Sequence, residues 1–149
     1  MELRDKHSAW LPARAVVLGA YSDRFQHDSS GHVLVIPYRQ TGVPWQDHLY
    51  TLECSEAAPD PETEVYFVLF PESGQPDSKW RIRTVPAEPG SFENRRSLPS
   101  NWCGLRDKEL SQETGVDGCI FIHANGFIGA NETFQGALEM AKKALTMIN

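Results

Sequence analysis

The stretch GCIFIHANGFIGANETFQGALEMAKKALTMI (residues 118–148) decides how the fold is read. Cys119-Ile120-Phe121-Ile122 is apolar at every position, without the alternation of a half-wet strand, which predicts a central strand covered on both faces. His123 stands at its carboxyl end. Gly126 and Gly129 follow at a spacing that permits positive φ and close backbone approach, and Asn131 or Thr133 suits the cap of a following helix. That helix is predicted from about Phe134 to Ile148, with Phe134, Ala137, Leu138, Ala141, Ala144, Leu145 and Ile148 recurring on one face. Its amino end offers unpaired N–H groups and partial positive charge to a phosphate or carboxylate. The loop has no Walker lysine and no complete dinucleotide fingerprint, so the same residues also read as a tight turn beside a hydrogen-bonded histidine.

Working outward, Asp107 to Thr114 reads as a short helix stopped by Gly115, delivering the chain into the strand. Residues 86–104 hold Pro86, Pro89, Gly90, Pro99 and Gly104 without a period, so an ordered loop is expected there. Long loops of this kind in compact domains are often functional. Val65–Phe70 and the alternating Trp80–Val85, joined by PESGQPDSK, form a long hairpin with one basic sheet face. Pro44 is expected to open a helix reaching about Glu53, with Trp45, Leu49 and Leu52 on one side, and residues 56–64 a surface loop. Asp28-Ser29-Ser30-Gly31 marks a turn joining Phe25–His27 to Val33–Ile36 as a hairpin, and Trp10 to Tyr21 reads as a first helix. The expected architecture is α+β: a mixed sheet with helices packed on it, residues 1–149 forming one domain.

At 149 residues the chain is long enough for one domain with a real core. Its longest apolar runs are too short to cross a bilayer, and the opening MELRDKHSAW lacks an apolar signal core, so an intracellular protein with no membrane partner is expected. Cys54, Cys103 and Cys119 are odd in number and form no CxxC pair, which argues for reduced, structural thiols. The net charge of −6 is unevenly spread. Residues 79–108 carry Lys79, Arg81, Arg83, Arg95, Arg96, Arg106 and Lys108 against Glu88, Glu93 and Asp107, a local excess of +4. Such a run reads either as a solvated face or as a phosphate-binding patch. Trp80, Phe92 and Trp102, lying among these residues, read either as bases' stacking partners or as core anchors.

Catalytic signatures are missing. The spacing of His27, Asp28 and His32 fits no common metal site, and a turn accounts for Asp28. There is no His-Glu-x-x-His, no Gly-x-Ser-x-Gly and no cluster of aspartates for two metal ions. Glu53, Asp107 and Glu109 read as helix-terminal or surface charges rather than paired catalytic carboxylates.

Several strings taken together resemble a known family. SAWLPAR (8–14), PWQDHLYTLE (44–53), WRIRTVP (80–86), SFENRRSLP (91–99), GLRDKEL (104–110) and GCIFIHANGFIGANETFQGALEMAKKAL (118–145) look like the carboxyl-terminal half of the melanocyte proliferating gene 1 (Myg) family, in family order. The resemblance implies a longer protein whose amino-terminal half binds two divalent metal ions, manganese or magnesium, through DHH-phosphoesterase motifs related to RecJ-like exonucleases. It implies 3′-to-5′ RNA exonuclease action, mitochondrial or nuclear in eukaryotes and otherwise cytoplasmic. The present chain would then be the substrate-binding part, without catalytic residues or a metal of its own, inactive alone and working with that amino-terminal half on RNA or another phosphodiester. By the same resemblance His123, Asn125, Gly126 and Gly129 match the substrate-gripping loop, and Arg95, Arg96 and Arg106 match recurrent family arginines. The chain departs from the family with Asn125 in place of serine, Ala130 in place of glycine and Cys103 in place of arginine. The alternative from another class is a non-catalytic interaction module docking through Trp45, Trp80 or Trp102, and a third is a self-contained hydrolase.

Overall fold

In the computed structural model, residues 10–38, 45–55, 64–88, 91 and 93–147 are described. Helix α1 (Trp10–Ser22) lies where the sequence predicts a first helix and turns Val17, Ala20 and Tyr21 inward. The next segment departs from expectation: Arg24–His27 forms a one-turn helix, α2, and not a hairpin strand. Strand β1 (Val33–Val35) therefore has no local partner, and it pairs in parallel with β2 (Phe67–Pro71), far along the chain. A parallel pair needs a crossover, and α3 (Trp45–Ser55) lies within it. Pro44, Ile148, Phe92 and the loop expected at residues 56–63 lie outside the described residues. Strand β3 (Trp80–Thr84) returns antiparallel to β2, as the hairpin reading requires. The expected loop contains one 3-10 turn, Ser100–Trp102, which buries Trp102 completely.

Helix α4 (Asp107–Thr114) ends at Gly115 and leads into β4 (Cys119–Ile122). Two expectations fail here. The five strands lie in the order β1-β2-β3-β5-β4, so β4 stands at the end of the sheet, not at its centre. Between it and the last helix lies β5 (Ile128–Asn131), a strand whose Gly-Ala-Asn content gives no local signal. β5 exists because β3 and β4 both pair with it. Helix α5 (Phe134–Thr146) then buries Ala137, Leu138, Met140, Ala141 and Ala144 against the sheet.

The sheet has two unequal sides. Alternation puts Phe67, Leu69, Ile82, Ile122 and Cys119 on the side covered by α5, with Trp102 and Leu110 completing that core. Leu34 and Val68 point the other way into a second core with Val17, Tyr21, Trp45 and Leu49 of α1 and α3. The rest of that second side, formed by β3, β5 and β4, is only partly covered: Arg81, Arg83, Ile128 and Phe121 remain half-exposed. No helix among the described residues is long and apolar enough to cross a membrane.

Candidate nucleic-acid interface

The uncovered half-side carries the charge. Directly opposed residues on neighbouring strands share a face of the sheet. One row runs Arg106, Phe121, Ala130, Arg81, because Arg106 bridges Phe121, Phe121 opposes Ala130, and Ala130 opposes Arg81. Three strand spacings put the outer members of this row about 14 Å apart. The Arg81 guanidinium lies 6.0 Å from the centre of the Phe121 ring, above Ala130, which is 1 % exposed. Arg81 also meets Glu72 at 3.1 Å, an exposed pair of little energetic weight.

A second row runs His123, Ile128, Arg83. The β4 ladder continues one residue past its end, with the His123 N–H donating to Ile128 O at 2.9 Å, and Ile128 opposes Arg83. Since Ile122 is buried in the core, the next side chain must emerge on the other side, and His123 is exposed there. Its Nδ1 accepts the Asn125 N–H at 3.1 Å, and its ring meets Phe127 edge-on at 4.8 Å. An accepting Nδ1 assigns the proton to Nε2, so the imidazole presents a donor to solvent. Beyond Arg83 the face sinks into a cavity of about 490 Å³ that Asn125 also lines.

Of the residues expected at the site, His123, Asn125 and Arg106 thus lie along one side of the sheet, and Gly126, Gly129, Arg95 and Arg96 are engaged in contacts within the fold. The loop at 123–127 is a hairpin turn. Gly126, at φ 71°, donates its N–H to His123 O at 2.8 Å and accepts from Leu98 N–H at 2.9 Å, so its backbone groups serve the turn. Cys103, where the resemblance leads one to expect arginine, packs behind this turn, and burial pushes its thiol pKa up. Gly129 lies inside β5, paired on both sides with Ile82 and Ile122. β5 also separates the turn from the start of α5 by about 13 Å, so the expected histidine-and-helix anion pocket does not form. The helix mouth is closed by its own residues: Thr133 Oγ1 accepts the Gly136 N–H at 3.0 Å, and buried Asn131 Oδ1 accepts the Thr133 N–H at 3.0 Å. Of the two residues expected to suit the cap, the structure selects Thr133, with Asn131 accepting from its N–H.

Arg95 and Arg96 are structural. Arg95 makes a paired contact with Glu53, Nη1 to Oε2 at 2.9 Å and Nη2 to Oε1 at 2.6 Å, and donates to Val65 O at 3.0 Å. Burial works against its charge, but the hydrogen bonds and attraction of Glu53, aided by Glu64 and Tyr50, raise its pKa overall. Arg96 reaches the carbonyls of Leu145 and Met147, capping the carboxyl end of α5. The resemblance to the family, which matches both arginines to recurrent ones, does not distinguish these contacts from a phosphate site. Arg81 and Arg83, by contrast, were announced by the alternation of WRIRT but not singled out.

Among the described residues, no group of three or more His, Cys, Asp or Glu side chains is placed to hold a metal ion. Asp28 turns back on Ser30, and the His32 ring stacks on Tyr66 with centroids 4.2 Å apart. Cys103 and Cys119 are free thiols. Trp102 and Trp45 are core residues, and Trp80 lies half-buried against Phe134, with ring centroids 4.8 Å apart.

Fold and face define an α+β domain with one basic, aromatic-bearing half of a sheet left open. Residues 1–145 match a family profile, MYG1_exonuc, described as Uncharacterised protein family (UPF0160), and the chain belongs to that family. It is 47% identical over 140 residues to the MYG1 exonuclease of Mus musculus, covering 94% of this chain and 34% of that relative. Identity to the Homo sapiens MYG1 exonuclease is 45% over 140 residues, covering 94% of this chain and 35% of the relative. A MYG1 protein of Saccharomyces cerevisiae is 43% identical over 143 residues, covering 96% of this chain and 40% of the relative. These mammalian relatives are named exonucleases. The chain spans about a third of the mammalian relatives' length, less than the half that the resemblance suggests. No solved structure gives a significant match.

Proposed function

We propose that this chain is the substrate-gripping domain of a longer metal-dependent phosphodiester hydrolase, an RNA exonuclease that works from the 3′ end, and that the open basic half-sheet is its RNA-binding surface. The observation that carries the reading is the convergence of Arg81, Arg83, Arg106 and His123 on a part of the sheet that no helix among the described residues covers. Guanidinium groups there neutralise backbone phosphates, Phe121 offers an aromatic face to a base, and His123 Nε2–H donates to a phosphate oxygen. The divalent metal, manganese or magnesium on DHH-type motifs, and the attacking water belong to the part of the protein that this chain does not span. The chain by itself is accordingly inactive. Burial of Trp45 and Trp102 in the two cores removes two of the three anchors that a protein-docking module would use.

Short single-stranded RNA titrated into the chain tests this. Affinity is expected to fall steeply with salt, by roughly 0.7 in log–log slope per phosphate contact. The Arg81→Gln/Arg106→Gln double variant should bind about tenfold more weakly and with a slope shallower by roughly 1.4. Binding that ignores salt and both substitutions would instead support an apolar docking surface. In a full-length protein of the family, His123→Ala is expected to slow turnover of short RNA by about 10²-fold, the scale for loss of one oriented donor. Unchanged turnover would withdraw its role.

A further inference from the structure

The cavity beyond Arg83 has a chemistry that the surrounding face lacks. Its volume of about 490 Å³ falls in the range of small-molecule sites, and among the described residues none that lines it is acidic. Arg83 enters from β3, and no acceptor among the described residues engages its guanidinium, in contrast to Arg81, Arg95 and Arg96. Three side-chain amides line the same space, from Gln46, Asn94 and Asn125. Asn94 is held in place, its Oδ1 accepting from Thr84 Oγ1 at 2.8 Å and its Nδ2 donating to Ser97 Oγ at 3.2 Å. Each end of that amide keeps one further hydrogen-bonding position. Phe127 supplies an aromatic wall, with the His123 ring set edge-on against it.

A guanidinium, paired donor–acceptor groups and an aromatic ring in one cavity match a phosphate, a base edge and a base face. We infer that this cavity receives a single unpaired nucleotide, its phosphate on Arg83 and its base against Phe127, with the three amides along the base edge. The inference rests on the RNA-binding reading of the adjoining face and adds to it a substrate class, a strand end with a free, unstacked nucleotide.

Titration of the 149-residue chain with adenosine and uridine 5′-monophosphates, followed by calorimetry, tests the site. Saturable binding is expected, about tenfold tighter than inorganic phosphate alone or the uncharged nucleosides. Arg83→Gln and Asn125→Asp should each weaken it about tenfold, the second by replacing an amide that can donate to the base edge with a carboxylate that can only accept, with circular dichroism showing that both variants stay folded. Lys142→Gln, which removes a cation from α5 across the sheet, should change nothing. A single-stranded tetranucleotide should displace the bound monophosphate, and a blunt-ended hairpin should not. No saturable binding at millimolar monophosphate, equal affinity for inorganic phosphate, indifference to Arg83→Gln, or displacement by the hairpin would each overturn the inference. Loss of the mononucleotide site with RNA binding retained leaves the basic face standing. Mononucleotide binding without any RNA binding does the reverse, keeping the cavity and removing the proposed function.

Discussion

Replacing Arg95 with alanine is expected to destabilise the chain by about 3–5 kcal/mol, the range for removing one partner of a buried ion pair. Its side chain is 10% exposed and that of Glu53 11%, so the alanine variant leaves a carboxylate out of water without its cation. The loss spreads further, because Glu53 Oε2 also accepts the Val65 N–H at 3.2 Å and Arg95 donates to Val65 O. One ion pair therefore ties α3 and the loop after β3 to the segment entering β2. Urea denaturation measures the effect directly, and the melting temperature should drop by roughly 10 °C. Arg95→Met combined with Glu53→Leu should recover much of the loss, since no unpaired charge is then buried. The sign of any pH dependence follows from the raised pKa of Arg95. Its contribution is complete below the unfolded value and fades only as pH rises through the still higher folded value, so stability near neutrality should not vary on its account. A stable Arg95→Ala variant that bound RNA poorly would return this residue to the site.

Gly129→Ala should cost about 2–3 kcal/mol, as overpacking at a rigid position does. A Cβ at Gly129 would stand 2.4 Å from Ile122 Cδ1 and 2.8 Å from Phe121 O. The isoleucine methyl can rotate aside, but the carbonyl belongs to β4, whose ladder with β5 fixes it. Relief requires the two strands to part at Gly129, next to the row that carries Arg81 and Phe121. Chemical denaturation should therefore show a lower midpoint, and the uncovered face should loosen with it. Unaltered stability would mean that the β4–β5 contact is softer than its geometry, and Gly129 would again be available to a ligand.

Both residues entered the candidate site through their match to the family, and both make packing contacts in the structure. Their reassignment shows where local reading stops. Arginine and glycine in a basic, loop-rich stretch suit phosphate binding equally well whether they face solvent or a buried carboxylate. Only contacts with distant segments, such as the 42-residue separation between Glu53 and Arg95, distinguish the two. His123 was legible because apolar Cys119–Ile122 ends on it, and a strand that buries Ile122 must expose the next side chain. Asn125 came with it. Gln46, Asn94 and Phe127 gave no signal, since their common cavity is assembled from α3, the loop after β3 and the β4–β5 turn.

By itself the sequence determined the α+β class, eight of the ten helices and strands named above, the capping of α5 by Thr133 and the basic side of β3. Each of these depends on periodicity or on hydrogen bonds spanning a few residues, so the necessary information is local. Tertiary structure alone decided that β1 pairs with β2, that Ile128–Asn131 becomes a strand between β3 and β4, and that β4 lies at the end of the sheet. It also decided which arginines are consumed by Glu53 and by the α5 carbonyls and which remain on the open face. The physical reason is that a strand of weak propensity, or an ion pair across the fold, takes its free energy from partners distant in sequence, and those partners are specified only when the chain has closed on itself.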